Sequence, residues 1–254
     1  MRRVILLRAS FPERPAFDTA VSHALLVLAG RGEAPESLRL HRASPNVAFG
    51  KLDAVRGGYP AAAAAARARG FEAVLRLAGG RAAVYHEGIV GIAHTIPDPD
   101  PRPGTFGRFD DAAGVVAAAL ATLGVDARIG EVPGEYCPGA YSVSAEGRLK
   151  LAGIGQRVIR AAAHVGGVVV ATGSERVRDV LTPVYEALDL VWDPATTGAV
   201  EDVVSGAGYA EVERALIDAY AERLELVEGD VPPAALDLAA ELEASHLALA
   251  GEPA

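Results

Sequence analysis

The chain has 254 residues, a formal net charge of −9 and 50% hydrophobic residues, which is enough for a buried core in one large or two small domains. The negative charge and the lack of a basic run argue against nucleic-acid binding. No apolar run reaches the roughly 18 residues that a membrane span needs. Arg8 also interrupts the short apolar run after Met1, so we expect a cytoplasmic protein without a secretory signal.

The first 70 residues predict short strands and two helices. Strands are expected at residues 4–8, 38–42 and 46–49, and helices at 20–28 and 60–69. Asp18 is expected to cap the first helix and Gly30 to end it, because a carboxylate can bind the free N–H groups and glycine accepts a left-handed backbone. Pro60 suits the first turn of the second helix.

Residues 75–88, with the sequence LRLAGGRAAVYHEG, predict a strand, a tight glycine loop and a second strand. Gly79 and Gly80 lack Cβ atoms, so their backbone amides can approach a ligand closely. Arg76 and His86 stand on either side of this loop. A hairpin turn without a ligand is the alternative interpretation, since most Gly-Gly pairs between strands are turns.

The rest of the chain predicts more strands, and then helices. Strands are expected at residues 89–95, 127–132 and 168–171, a helix at 110–123, and a hairpin from 141–144 to 149 onward. Loops are expected at residues 97–107 and 133–139, and helices at 177–188, 209–226 and 232–249. Because strands and helices do not alternate strictly, the pattern predicts an α+β fold with a mixed, mainly antiparallel sheet and packed helices.

One cysteine and two lysines are candidates for chemistry. Cys137 is the only cysteine, so no internal disulfide is possible. Lys51 and Lys150 are the only lysines among 24 basic residues, and an ammonium with a tunable pKa can do work that a guanidinium cannot. The alternatives are a small buried hydrophobe for the cysteine and an ordinary surface position for either lysine.

Two motifs in this sequence resemble those of the lipoate-protein ligase and octanoyltransferase family. The family patterns are R-x-[ST]-G-G-x-x-V-x-H and G-x-K-[IL]-x-G-x-x-Q, which are matched by Arg76, Gly79, Gly80, Val84 and His86 and by Lys150, Gly153 and Gln156. Ala78 departs from the first pattern, because it stands where the family usually has Ser or Thr. The segment around Cys137 resembles the cysteine loop of the octanoyltransferases. The resemblance implies a biotin/lipoate ligase-like catalytic domain over residues 1–225 and a C-terminal helical extension over residues 226–254.

The resemblance implies an acyltransferase. Cys137 would take an octanoyl or lipoyl group from acyl carrier protein as a thioester and pass it to a lysine of a lipoyl domain, in glycine cleavage protein H or a dehydrogenase E2 subunit. Lys150 would promote thiolate formation, hold the acyl carbonyl or deprotonate the incoming amine. The substrate-binding residues implied are Arg76, Gly79, Gly80, His86, Gly153 and Gln156. This route needs no cofactor and no metal, and we expect a monomer.

Three other functions stay open. An ATP-dependent ligase would use ATP and Mg²⁺, and Lys150 would bind an acyl-adenylate. An amidotransferase would move the acyl group from one lipoyl domain to another with the same residues. A non-catalytic relative would only bind acyl groups or lipoyl domains. The roughly 30 residues after the predicted catalytic domain are too few for an assisting domain, which favours a transferase over a ligase.

Overall fold

The computed structural model describes residues 1–247, and the secondary structure of this range follows in chain order. The strands are β1 (Arg2–Leu7), β2 (Ser37–Arg42), β3 (Asn46–Phe49), β4 (Glu72–Leu75), β5 (Ala83–Tyr85), β6 (Ile89–Pro97), β7 (Ala127–Ile129), β8 (Val143–Ala145), β9 (Leu149–Ile159), β10 (Ala162–Val170) and β11 (Leu224–Gly229). The helices are α1 (Pro15–Arg31), α2 (Lys51–Ala54), α3 (Tyr59–Arg67), α4 (Thr105–Thr122), α5 (Ser174–Ala187), α6 (Tyr209–Ala221) and α7 (Pro233–Leu242).

The strands form two sheets. The larger sheet has the order β11-β1-β2-β6-β10-β9-β8-β7, and the smaller one has the order β4-β3-β5. Strand β1 runs parallel to both β11 and β2, while the other pairs of the larger sheet are antiparallel. This arrangement confirms the predicted α+β fold with a mixed, mainly antiparallel sheet.

Apolar and polar side chains alternate along β2, and both faces of the larger sheet are covered there. Leu38 and Leu40 are fully buried in the core beneath α4 and α6. Arg39 and His41 point to the opposite face, where the Arg39 guanidinium and the His41 ring pair with the Asp18 carboxylate of α1. Helix α7 packs on α1, whereas α3 and α5 pack together over the smaller sheet.

The ends of the first helix differ from the sequence prediction. Helix α1 begins at Pro15, whose fixed φ suits a first turn, so Asp18 is not the N-cap. The Asp18 carboxylate instead accepts a hydrogen bond from the Phe11 backbone N–H and pairs with buried Arg39. Gly30 lies inside the helix, and Gly32 ends it with a left-handed φ of 76°.

The C-terminal region also corrects the sequence prediction. The helix expected at residues 209–226 ends at Ala221, and Leu224–Gly229 forms β11 beside β1. Parallel pairing with β1 outweighs local helix propensity there. The boundary placed after residue 225 falls inside this strand, and the division into two domains stays a prediction. The end of the helix expected at residues 232–249 lies outside the described residues.

The helices within residues 1–247 differ in length and in apolar character. None of them has both the length and the apolar character that a span of the bilayer requires.

Candidate active site

A cavity of about 300 Å³ separates the glycine loop, residues 76–82, from β9 and from the cysteine loop, residues 130–142. This volume is at the lower end of the range for small-molecule sites. Polar groups of Arg76, Cys137 and Lys150 line it, and apolar groups of Ile154 and Val168 form part of the wall. The remaining lining residues are Gly79, Gly80, Ala83, Tyr85, Phe109, Tyr136, Pro138, Gly139, Ser142, Gly153, Gly155 and Gln156.

The glycine loop is not a hairpin turn. Strands β4 and β5 lie on opposite sides of β3, so the loop crosses over the end of the smaller sheet. Gly80 has a φ of 117°, and a Cβ atom there would lie 2.7 Å from Arg76 Nη1 and 2.9 Å from Cys137 Sγ. A Cβ atom on Gly79 would meet nothing within 4 Å. The close approach therefore requires glycine at position 80 and not at position 79.

The sulfur of Cys137 faces hydrogen-bond donors of the glycine loop. The Arg81 backbone N–H lies 3.2 Å from Sγ, and Arg76 Nη1 lies 3.7 Å away. Burial acts to lower the pKa of Arg76, but its interactions with the neighbouring Cys137 and Tyr85 side chains outweigh this effect and raise the pKa of the guanidinium. An amide and a cation at the sulfur are the surroundings typical of a reactive cysteine.

The backbone of Cys137 is held in an unusual conformation. Its φ of 44° lies in the left-handed region, which non-glycine residues adopt rarely. The Cys137 N–H donates to the Tyr185 hydroxyl at 2.8 Å, and its carbonyl accepts from Lys150 Nζ at 2.8 Å. These two bonds fix the orientation of the side chain towards the glycine loop.

Lys150 lies beneath the cysteine loop and is almost fully buried. Its Nζ donates to the carbonyls of Cys137 and Tyr136, at 2.8 and 2.9 Å, and to Glu135 Oε1 at 3.1 Å. Three acceptors match the three N–H groups of an ammonium. Burial lowers the pKa of Lys150, and interactions with the neighbouring Cys137 and Glu135 side chains offset part of this effect. Lys150 thus supports the cysteine loop from below.

Glu135 is a site residue that the sequence analysis missed. Its buried carboxylate accepts hydrogen bonds from the backbone N–H groups of Val132 and Gly139, from the Ser142 hydroxyl and from Lys150. These contacts tie both ends of the cysteine loop to the lysine. The sequence feature that could have indicated Glu135 is its position, two residues before the only cysteine and in a loop that leads to Lys150.

Gly153 and Gln156 of the second motif both lie on β9 and line the cavity. A Cβ atom on Gly153 would lie 3.4 Å from Lys150 Cε, so this glycine lies directly beside the lysine stem. Gln156 binds the first turn of α4: its Oε1 accepts from Arg108 Nε at 2.7 Å, and its Nε2 donates to the Thr105 carbonyl at 3.0 Å. Gly153 therefore leaves space for the lysine stem, while Gln156 joins β9 to α4 at the wall of the cavity.

His86 is the one predicted site residue that does not line this cavity. Its Nδ1 accepts a hydrogen bond from the Gly88 N–H at 3.0 Å, and its ring lies against Gly173. Burial lowers the pKa of His86 to about 4, with a further contribution from Arg176. His86 is thus a packed histidine just after β5, and its role in substrate binding stays a prediction.

No group of three His, Cys, Asp or Glu side chains within residues 1–247 has an arrangement that could hold a metal ion.

The family model for the lipoyl protein ligase A/B catalytic domain matches residues 14–204. The chain is 29% identical over 177 residues to an octanoyl-[GcvH]:protein N-octanoyltransferase of Geobacillus kaustophilus, an alignment that covers 68% of this chain and 62% of the relative. It is 25% identical over 171 residues to a lipoyl-[GcvH]:protein N-lipoyltransferase of Listeria monocytogenes, covering 66% and 61%. The matches thus span about three-fifths of the length of these relatives.

Solved structures show the same fold. A protein of T. acidophilum with bound lipoic acid superposes with a TM-score of 0.77 and 20% identity, over 96% of both chains. A lipoate-protein ligase A bound with ATP gives a TM-score of 0.72 and 20% identity, over 96% of this chain and 95% of that one. At this level of identity the comparison concerns the fold alone.

Proposed function

Because this chain belongs to the lipoyl protein ligase A/B catalytic-domain family, we propose that it is an acyltransferase that moves an octanoyl group between lysine side chains of lipoyl domains, with Cys137 as the nucleophile. The observation that carries the proposal is the position of Cys137 Sγ in a cavity with apolar walls, 3.2 Å from the Arg81 N–H. An octanoyl chain is apolar, and each buried CH₂ contributes about 0.8 kcal/mol.

The first step forms an acyl-enzyme. The sulfur of Cys137 attacks the amide carbonyl of the octanoyl-lysine on the donor domain, and a carbon–sulfur bond forms. The carbon–nitrogen bond then breaks, and the lysine amine leaves with the proton that the thiol gave up. In the glycine loop, the Arg81 N–H donates to Cys137 Sγ and the Gly79 N–H to the Gln156 carbonyl, so the Gly80 N–H is the proposed donor to the oxyanion of the tetrahedral intermediate.

The second step reverses the first on another protein. The neutral lysine amine of the acceptor domain attacks the thioester, the new amide forms, and the Cys137 thiol regains a proton. One amide replaces another, so the exchange needs no ATP. In this scheme Lys150 positions the cysteine loop and supplies positive charge beneath it, because all three of its N–H groups are engaged by Glu135, Tyr136 and Cys137.

The proposed donor follows the names of the relatives. Those names place the octanoyl or lipoyl group on GcvH, and they give no support to the acyl carrier protein predicted from the sequence. Glycine cleavage protein H is therefore the proposed donor, and a lipoyl domain of a dehydrogenase E2 subunit is the proposed acceptor. A thioester-linked octanoyl group and octanoate with ATP serve as competing donors in the test.

The test compares three donors: octanoylated H protein, octanoyl-acyl carrier protein, and octanoate with ATP and Mg²⁺. Intact mass spectrometry follows the octanoyl group on the enzyme and on an unmodified lipoyl domain. We expect transfer from octanoylated H protein without ATP and an adduct on the enzyme that is absent from Cys137→Ser. Strict dependence on ATP and free octanoate would establish a ligase, and transfer only from acyl carrier protein would overturn the proposed donor.

A further inference from the structure

The structure exposes apolar side chains beside the cavity. Leu52 of α2 and Val55, the residue directly after α2, are 65% and 76% exposed, and Phe106 in the first turn of α4 is 72% exposed. Leu52 and Val55 are three residues apart, which places them on one face of the helical turn. Together with exposed Lys51, these residues are called the rim surface. Exposed apolar groups beside a cavity indicate a binding surface.

Helix α2 is connected to the reactive sulfur through Arg81. The Arg81 backbone N–H points at Cys137 Sγ, and its guanidinium pairs with buried Asp53 of α2 at 3.3 Å. Gly50, which precedes α2, lies so close to the glycine loop that an added Cβ atom would be 1.9 Å from the Gly80 carbonyl oxygen. The α2 part of the rim surface therefore lies one residue layer from the cavity.

The α4 part of the rim surface flanks another wall of the same cavity. Phe106 follows Thr105, whose carbonyl accepts from the Gln156 side chain. It also precedes Phe109, which lines the cavity and stacks on Tyr141 with 4.7 Å between ring centroids. Apolar groups thus stand beside two walls of the cavity, where a protein substrate must approach.

The charge around α2 is opposite to that of the whole chain. Within residues 1–247, neither Lys51 nor Arg56 forms an ion pair with a carboxylate. The Arg56 guanidinium instead donates to the backbone carbonyls of Leu188 and Asp189, at 2.7 and 3.1 Å. Asp53 is the only carboxylate of the segment, and it is committed to Arg81. A basic, apolar surface on a chain of net charge −9 complements an acidic partner.

We propose that the rim surface docks the acyl-carrying protein domain, through an acidic and partly apolar face that surrounds its modified lysine. This inference rests on the proposed function and adds the surface that recognises the protein substrate. Exposed Lys51 steers the acidic domain, while Leu52, Val55 and Phe106 provide the apolar contact. The acyl-lysine of the docked domain then enters the cavity towards Cys137.

The test separates docking from chemistry by using two donors. Octanoylated H protein needs the rim surface, whereas the small thioester S-octanoyl-N-acetylcysteamine does not. In the reaction with this small thioester, the Cys137 sulfur takes the octanoyl group, and the N-acetylcysteamine thiol leaves with the proton of the Cys137 thiol. Both rates of acylation are followed by intact mass spectrometry, and circular dichroism verifies that each variant is folded.

The variants are Leu52→Ser with Val55→Ser, Phe106→Ser, and Lys51→Glu, with Val203→Ser and Arg3→Glu as matched controls elsewhere on the surface. We expect the rim variants to lower kcat/KM for octanoylated H protein by about tenfold, mainly through KM. Acylation by the small thioester should stay within about twofold, and both controls should match the wild type. Added salt should lower kcat/KM less in Lys51→Glu than in the wild type.

Other outcomes overturn the inference in distinguishable ways. Equal losses with both donors, or no loss with H protein, would show that the rim surface does not dock the substrate. A wild-type dimer in sedimentation equilibrium that Leu52→Ser with Val55→Ser dissociates would assign the surface to a second copy of this chain. A wild-type protein that accepts octanoyl from neither donor would overturn the proposed function itself, and this inference with it.

Discussion

At the scale of single residues, the candidate site depends on where side chains are missing and where charges are paired. Gly80 gives Arg76 and Cys137 the space to approach the glycine loop, and its φ of 117° is one that other residues rarely adopt. Glu135 and Lys150 form a buried ion pair whose remaining hydrogen bonds hold the cysteine loop. Substitutions of Gly80 and Glu135 should therefore disturb the site more than substitutions of their neighbours Gly79 and Ser142.

Alanine at position 80 should displace the reactive sulfur, whereas alanine at position 79 should be accommodated. We expect Gly80→Ala to slow acylation of Cys137 about 100-fold, because a displacement of about 1 Å at a reacting group can have an effect of that size. Gly79→Ala should change the free energy of unfolding by less than about 0.5 kcal/mol, since its Cβ would face open space. Mass spectrometry and urea unfolding measure the two effects, and equal behaviour of the variants would contradict this assignment.

Loss of the Glu135 charge should destabilise the site more than loss of one of its donors. Glu135→Gln leaves Lys150 as a buried cation without its carboxylate and should lower the free energy of unfolding by about 3 kcal/mol. Ser142→Ala removes a single hydrogen bond to the same carboxylate and should lower it by about 1 kcal/mol. Urea unfolding measures both free energies. An equal loss in the two variants would show that the ion pair contributes no more to stability than a single hydrogen bond.

At the scale of elements, the strand that leads into the glycine loop is held by segments from both ends of the chain, α1 and the residues around His246. Strand β4 enters the loop, and the Leu75 carbonyl at its end accepts a hydrogen bond from His246 Nδ1 at 2.7 Å. His246 Nε2 contacts His23 Nδ1 of α1 at 3.0 Å, and Val74 forms an antiparallel bridge with Leu247. The last described turn of the chain thus fastens β4 to α1 just before the loop begins.

Removal of this histidine should loosen β4 locally. We expect His246→Ala to lower the free energy of unfolding by about 1–2 kcal/mol, because the Leu75 carbonyl and His23 both lose a partner. Ser245→Ala, at an exposed neighbouring position, is the control. Hydrogen exchange should show faster exchange in residues 72–82 of His246→Ala than in the wild type, and unchanged protection there would contradict a bracing role.

At the scale of the whole molecule, several histidines are buried in neutral form. Burial, followed by nearby cationic groups, lowers the pKa of His164 to about 3 and those of His23 and His86 to about 4. In the unfolded chain these groups titrate near 6.5. Between these values the unfolded chain binds more protons than the folded one, so acid favours unfolding.

The free energy of unfolding should therefore fall as the pH falls from about 6.5 to about 4, by at most about 1.4 kcal/mol per pH unit for each such histidine. His164→Gln removes one titrating group and should reduce this slope. Urea unfolding at several pH values between 4.5 and 6.5 measures it. A wild-type slope near zero, or an unchanged slope in His164→Gln, would contradict the assignment of buried neutral histidines.

The fold class and the segments that form the candidate site could both be predicted from the order of residues along the chain. Most strands and helices were predictable because their apolar periodicity and their glycine and proline signals are local. Two motifs that follow each other in the same order as in the family, together with one cysteine, also indicated the residues that the structure gathers around one cavity. These residues are Arg76, Gly79, Gly80, Cys137, Lys150, Gly153 and Gln156. Their roles in catalysis and binding remain predictions.

Which of these groups are in contact and which stay apart depends on packing between distant segments of the chain. Strand β11 forms because β1 offers it a parallel partner, and no local pattern contains that information. Glu135 becomes part of the site through bonds to Lys150 and to both ends of the cysteine loop, whereas His86 packs away from the cavity. Contacts between distant segments depend on the whole arrangement of the sheets, so spacing along the chain could indicate the chemistry but not its geometry.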